Sequence, residues 1–290
     1  MRPRIAVLFL ACLSLAVTFV LTISTAQAQT NLTFTTIDVP NAIETDCNAI
    51  NKTNVIAGFY VDASGVDHGF IRTNGVFRFL NFPGATGTLA YGINDSNQVV
   101  GWYTDTSGIQ HGYIFAAGKY SSFDVPGSTL TNAWTITNTG TIVGAYTDTS
   151  GVFHGFVKIG TKYTTIDFPN SILTESLGLN NLGQMAGIYD DSNGNEHGFV
   201  RTSNGKFSSV NFPGATVTAS DRINDTGEIV GLWGTSTSGP FHGYTRIGTT
   251  YTSVDVPGAT ETRTRGLNNA GVIVGRYSDS TGLIHGYSAH

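Results

Sequence analysis

The sequence predicts an all-β fold, a six-bladed β-propeller of four-stranded blades, and three observations carry that prediction. The tripeptide His-Gly-Phe/Tyr occurs six times, at His68, His111, His154, His197, His242 and His285, at intervals of 43, 43, 43, 45 and 43 residues. Proline and glycine keep the same beat, at Pro40, Pro83, Pro126, Pro169, Pro213 and Pro257, then at Gly58, Gly101, Gly144, Gly187, Gly231 and Gly275. A period in this range marks repeated supersecondary units that stack or close into a ring. The third observation is composition: 36 Gly, 11% aromatic and only 12% charged residues suit short strands joined by tight turns.

The repeats are preceded by Arg2 and Arg4, an apolar run from Ile5 to Ile23, and the small-residue site Ala26-Gln27-Ala28, which together read as a signal peptide over residues 1–28. The run approaches the length of a spanning helix, and it is the Ala-x-Ala site that argues for cleavage. Residues 29–290 are then expected to form one domain, monomeric, secreted or periplasmic, with no membrane segment after cleavage. The leader holds two of the fifteen Lys and Arg residues and none of the twenty Asp and Glu residues, so the remainder is more acidic than the whole chain's −5. That balance excludes a basic nucleic-acid groove. Cys47 becomes the only remaining thiol, so no intramolecular disulfide is possible, and it reads as a small buried side chain.

Each unit divides at its turns. In the second, apolar or aromatic runs at 90–94, 98–103, 111–115 and 120–125 are separated by Asp95-Ser-Asn97, Asp105-Thr-Ser-Gly108 and Ala117-Gly118. These are consecutive hairpin strands A, B, C and D. The A–B turn recurs as Asn138-Thr-Gly140, Asn181-Leu-Gly183, Asp225-Thr-Gly227 and Asn269-Ala-Gly271, with Gly at the left-handed position. Two insertions break the period, Ser203 in a C–D turn and one residue within Gly234–Gly239 in a B–C turn. Both fall in expected loops, where an added residue leaves the facing of the strands unchanged.

The chain ends predict closure of the ring. A spare D strand, Phe34-Thr-Thr-Ile-Asp-Val39, precedes the first unit, and the last unit stops after strand C. The amino-terminal strand can complete the sixth blade and so remove the exposed edges of an open stack.

The combination Ile-Asn-x-x-Gly-x-Val-Val-Gly, a polar turn, then His-small-Phe resembles the HAF-type repeats of secreted bacterial proteins, over essentially all of the mature chain. Here the middle residue of the triplet is Gly, as in His68-Gly69-Phe70, and Thr137 stands where the other units have Asn. The resemblance implies an exported bacterial β-repeat protein and brings no catalytic residues.

Six histidines invite a metal reading, but strand C lies two places out from the channel, so their ring is too wide for one ion. Each is expected to bond a loop of its own blade, through the recurrent Thr45, Thr88, Thr131, Thr174, Thr218 or Thr262. Asp62, Asp105, Asp148, Asp191 and Asp279 read as turn formers, and no metal or cofactor is expected.

What differs between units carries the functional signal. In the connection from D to A, Thr recurs five residues after each Pro while its neighbours change: Glu44, Asp46 and Asn48; Leu89 and Tyr91; Asn132 and Trp134; Glu175; Asp221 and Arg222; Glu261, Arg263 and Arg265. These loops share one face and lead into the channel. Tyr91, Trp134, Asp221, Arg222 and Arg265 are the expected ligand contacts, on a non-catalytic module for an extracellular glycan, peptide or cell-surface partner. The alternative is a polysaccharide hydrolase or lyase using Glu44, Glu175 or Asp221 as acids and Arg265 to steady a substrate carboxylate.

Overall fold

A computed structural model describes residues 27–28 and 32–290, so the expected leader lies almost wholly outside the described residues. Its strands follow the repeat. Strand A runs over Glu44–Ile50, Gly87–Ile93, Leu130–Ile136, Leu173–Leu179, Val217–Ile223 and Glu261–Leu267. Strand B follows at Ile56–Val61, Val99–Thr104, Ile142–Thr147, Met185–Asp190, Ile229–Gly234 and Ile273–Ser278. Strand C is Asp67–Thr73, Gln110–Ala116, Phe153–Ile159, Glu196–Arg201, His242–Ile247 and Ile284–Ala289. Strand D is Val76–Leu80, Lys119–Phe123, Lys162–Ile166, Phe207–Val210 and Thr250–Val254. Within each unit the strands pair antiparallel in the order A-B-C-D.

The last strand C takes its outer neighbour from the other end of the chain, Phe34–Ile37, in antiparallel register from Phe34 opposite Ala289 to Ile37 opposite Gly286. Each strand A packs beside the next, and the last beside the first. The molecule is an all-β propeller of four-stranded blades, with strand A lining the channel and strand D at the rim. Gln27–Ala28 adds a short parallel pairing to Thr252 and Ser253 on one outer edge.

Burial explains the triplet. Phe70, Tyr113, Phe156, Phe199, Tyr244 and Tyr287 are completely buried, each in the core of its blade. Each lies beside the strand-B glycine of its blade, and a Cβ added to Gly144 would come 2.6 Å from the Phe156 ring and also overlap the Asn132 carbonyl oxygen. The middle residue of the triplet is crowded in most units: a Cβ on Gly286 would meet Cys47 Sγ at 2.7 Å. The crowding is not uniform, since a Cβ on Gly69 would come no nearer than 3.2 Å to any neighbour.

The histidines have other partners than the expected threonines. Nδ1 of His68, His111, His154, His197, His242 and His285 bonds Asn81, Asp124, Asp167, Asn211, Asp255 and Asp38, at distances of 2.8 to 3.1 Å. Each imidazole also stacks on a strand-B aromatic, as His154 does on Tyr146. The threonines are already occupied, because each hydroxyl accepts the N–H of the residue before the repeated proline, as Thr45 does from Val39 at 3.1 Å. The His285–Asp38 pair therefore fastens the amino-terminal strand to the last blade. Asp62 serves its own turn as expected, accepting from the N–H groups of Ser64 and Val66.

Blades are joined by side chains at the A–B turns. Asn51 Nδ2 donates to the Asn94 carbonyl, Asn94 to Thr137, Asn180 to Asn224, Asn224 to Asn268, and Asn268 back to Asn51, all at 3.0 to 3.2 Å. The Oδ1 atom of the same asparagine shapes its own turn, as Asn94 does for Ser96 and Gln98. Thr137 reproduces the second role, accepting from Thr141 N–H, but has no amide to reach Asn180. Thr137→Asn should supply the missing link and raise stability by about 1 kcal/mol, a Tm increase of about 2–4 °C. A Tm that stays level or falls in a calorimetric scan would show that this relay does not limit stability.

Candidate functional site

Strand A begins about three residues earlier than the apolar run alone indicates, so the variable residues expected on loops belong to the innermost strand itself. Each strand A also breaks register against strand B at one residue, eight positions after the proline. Those residues are Asn48, Tyr91, Trp134, Leu177, Asp221 and Arg265. A bulge of this kind re-aims a side chain without ending the strand. It permits one channel-wall position to vary freely while the flanking pairs hold the blade.

At the next position, five units carry a small side chain, Ala49, Gly92, Thr135, Gly178 or Gly266, and the fifth unit carries Arg222. Its guanidinium is buried and crosses the channel. Nη1 donates to the Leu177 and Asp221 carbonyls at 2.7 and 2.9 Å, and Nη2 to those of Tyr91 and Trp134 at 2.6 and 2.9 Å. Burial pulls its pKa down to about 10, so it stays charged at neutral pH. Arg222, expected among the ligand contacts, thus binds the bulge carbonyls of four units and lines a cavity of about 110 Å³ at the A–B mouth.

At the opposite mouth, where the D–A and B–C connections meet, a cavity of about 360 Å³ opens over the fourth and fifth units. Its walls bring together three of the expected contacts, Trp134, Asp221 and Arg265, with Glu175, Asp190, Glu196, Arg263 and Phe241. Leu177, Ile188, Val217, Ala219 and Leu232 supply apolar surface. Tyr91 stands behind Trp134, 4.5 Å between ring centroids, and stacks on Trp102 at 4.2 Å. It supports the wall without belonging to it. Thr237 comes from the loop that carries the extra residue, so that insertion shapes the cavity.

Charges here are unevenly paired. Arg265 Nη1 donates to Asp221 Oδ1 at 3.1 Å, and Arg263 Nε to Glu261 at 2.6 Å while its guanidinium lies 4.7 Å from the Phe241 ring centroid. Burial raises Glu175 to about 7, aided by repulsion from Glu196, Asp190 and Asp221. Burial likewise raises Glu196 to about 7, with Asp190 and Asp221 adding to it. Glu44, the other acid considered, lies elsewhere and pairs with Arg276 at 2.7 Å. Cys47 is fully buried, and burial pushes its thiol well up, which withholds a thiolate nucleophile.

Sequence reasoning missed Glu196 and Asp190. For Glu196 the signal was present in the residue just before each repeated histidine, which varies as Asp67, Gln110, Phe153, Glu196, Phe241 and Ile284.

No protein-family model matches the sequence, and no curated protein matches it. Solved structures do resemble the fold. AofleA from Arthrobotrys oligospora matches with a TM-score of 0.56 at 12% identity, covering 91% of this chain and 90% of that one. A fungal lectin from Aleuria aurantia, described as having a six-bladed β-propeller fold and a fucose recognition mode, matches at 0.54 and 11% identity over 86% of this chain and 92% of that one. A variant of that lectin in complex with Fucα1-6GlcNAc matches at 0.54 and 12% identity, over 84% and 91%. At these identities the likeness establishes the propeller class.

The two raised carboxyls make stability depend on pH in a defined direction. Between their ordinary value near 4.5 and about 7, the folded state holds protons that the unfolded chain has released. Stability therefore falls as pH rises through that window. Thermal melts should show Tm declining between pH 5 and 8, and Glu175→Gln combined with Glu196→Gln should flatten that decline. A decline of unchanged slope in the double variant would mean that neither carboxyl is the source.

Proposed function

We propose that this chain is a secreted, non-catalytic glycan-binding module. In this reading residues 29–290 form one six-bladed propeller of HAF-type repeats, closed by the amino-terminal strand and exported by the leader at residues 1–28. The observation that carries the reading is the cavity at the D–A mouth. Its walls combine aromatic faces, an apolar floor and convergent charged groups within about 360 Å³, which is the composition of a small-ligand pocket. Aromatic rings suit the apolar faces of sugars, and orphan polar groups suit their hydroxyls. The comparison structures are in keeping with this, since lectins described with fucose ligands share the propeller class.

Carboxyl chemistry favours a second reading. Glu175 and Glu196 are both held near neutrality in one cavity, so one can carry a proton while the other has lost it, as an acid and base pair in glycoside hydrolysis requires. New reducing or unsaturated ends in a polysaccharide digest, abolished by Glu175→Gln, would establish turnover and displace the binding reading.

A glycan array followed by titration tests the binding reading directly. Trp134→Ala should weaken the ligand by about 2 kcal/mol or more, in a protein that still folds but melts lower for the packing lost against Tyr91 and Trp102. Substitutions at Asn181 and Asn269, on the opposite face, should leave affinity unchanged. A ligand whose affinity drops only with the Asn181 and Asn269 variants would move the site to the other mouth.

A further inference from the structure

The channel-mouth cavity holds more acid than base, and its bases are already engaged. Glu175, Asp190, Glu196 and Asp221 face Arg263 and Arg265. Arg263 is bound to Glu261 and Arg265 to Asp221. Among the described residues, no cation pairs with Glu175, Asp190 or Glu196. The contrast with the junction of the last and first units is direct. There Arg276 reaches Glu44 at 2.7 Å and Asp46 at 3.6 Å, so the acids of that crevice have an internal counter-ion.

Residues of the cavity wall also carry buried polar atoms without partners. Asp221 is only 2% exposed and its Oδ2 accepts no hydrogen bond, while Trp134 Nε1 and Arg265 Nε are unused donors. Leaving such atoms unpaired in a protein interior is costly, and a ligand that pairs them recovers that cost. An ammonium among the three free carboxyls would offset their mutual repulsion as well. Trp134 and Phe241 add ring faces that attract both a cation and the C–H face of a sugar.

Resting on the glycan reading above, we infer that the cavity takes one saccharide carrying a free amino group, a hexosamine with an unacetylated nitrogen. The ammonium sits against Glu175, Glu196 and Asp190, and the sugar ring lies against Trp134 and Phe241. An N-acetyl group would remove the charge the carboxyls need, and an acidic sugar would add to the repulsion. Only the first unit repeats acids at the positions of Glu175 and Glu196, as Asp46 and Asp67, and there Arg276 already reaches Asp46 at 3.6 Å, leaving the cluster around Glu175 as the one without an internal cation. The chain therefore holds one such site.

Isothermal titration with a tetramer of β-1,4-linked glucosamine, its fully N-acetylated counterpart and tetra-lysine, near pH 7, where the amines can hold protons while Glu175 and Glu196 release theirs, tests this. The glucosamine tetramer should bind one to one and about tenfold or more tighter than the acetylated form, the effect expected for charge-assisted hydrogen bonds. Glu175→Gln with Glu196→Gln should erase that preference without lowering Tm. Equal or tighter binding of the acetylated tetramer would overturn the inference and leave the glycan reading standing. Binding of tetra-lysine with neither sugar would overturn the glycan reading instead, and binding of none of the three would contradict the inference.

Discussion

The side-chain amide of the asparagine that follows strand A donates a hydrogen bond to the carbonyl of the corresponding residue one unit further on, and the propeller depends on that link. The carbonyl also accepts the N–H three residues on in its own turn, as Asn94 does from Asn97, and the amide comes from a residue whose Oδ1 shapes that same turn. One side chain thus settles both a local and a long-range need. A second ring runs outside the first: Asp95 accepts from Lys52 N–H, Asn138 from Asp95, Asn181 from Asn138, Asp225 from Asn181 and Asn269 from Asp225. Each ring is interrupted at a different place, the inner at Thr137 and the outer at Lys52, so no junction lacks both links.

With one mouth locked by these rings, and Arg222 holding bulge carbonyls across the channel, variation is confined to the other mouth. The bulge is what makes variation tolerable there. Flanking residues keep their pairing to strand B, and the strand-B glycine accepts the displaced backbone, since an added Cβ on Gly101 would overlap the Leu89 carbonyl. The same position can then hold Asn, Tyr, Trp, Leu, Asp or Arg. A cavity with one aromatic flank and one charged flank follows from a scaffold that repeats faithfully everywhere else.

The scaffold was legible in the sequence because every blade meets the same demands. The triplet aromatic must fill a core, the glycines must admit a neighbour, and the turn Asp must cap its own backbone. The completing role of the amino-terminal strand was equally readable from the two unequal chain ends. The site was only partly readable. Trp134, Asp221 and Arg265 stood out by differing from their counterparts. Arg222 stood out for the same reason, yet a side chain one residue past a bulge turns to the opposite mouth, and residue type alone carries no such direction. Glu196 and Asp190 went unseen because they lie on strands B and C, away from the varying D–A segment, and only the fold brings them beside Glu175. The histidine partners were misjudged for a related reason: strand D places an Asp or Asn alongside strand C, and that neighbour is invisible at a separation of 13 residues in sequence.

The proposed ligand sits between Trp134 and the carboxyls of the fourth and fifth units. The indole N–H signals of the three tryptophans offer the most direct measurement, because Trp134 lines the cavity, whereas Trp233, its Nε1 likewise unpaired, stacks on Phe212 and does not line it. Nuclear magnetic resonance titration with a bound saccharide should shift the Trp134 indole proton strongly and leave that of Trp233 in place. A saccharide that binds while the Trp134 signal stays fixed would contradict the account.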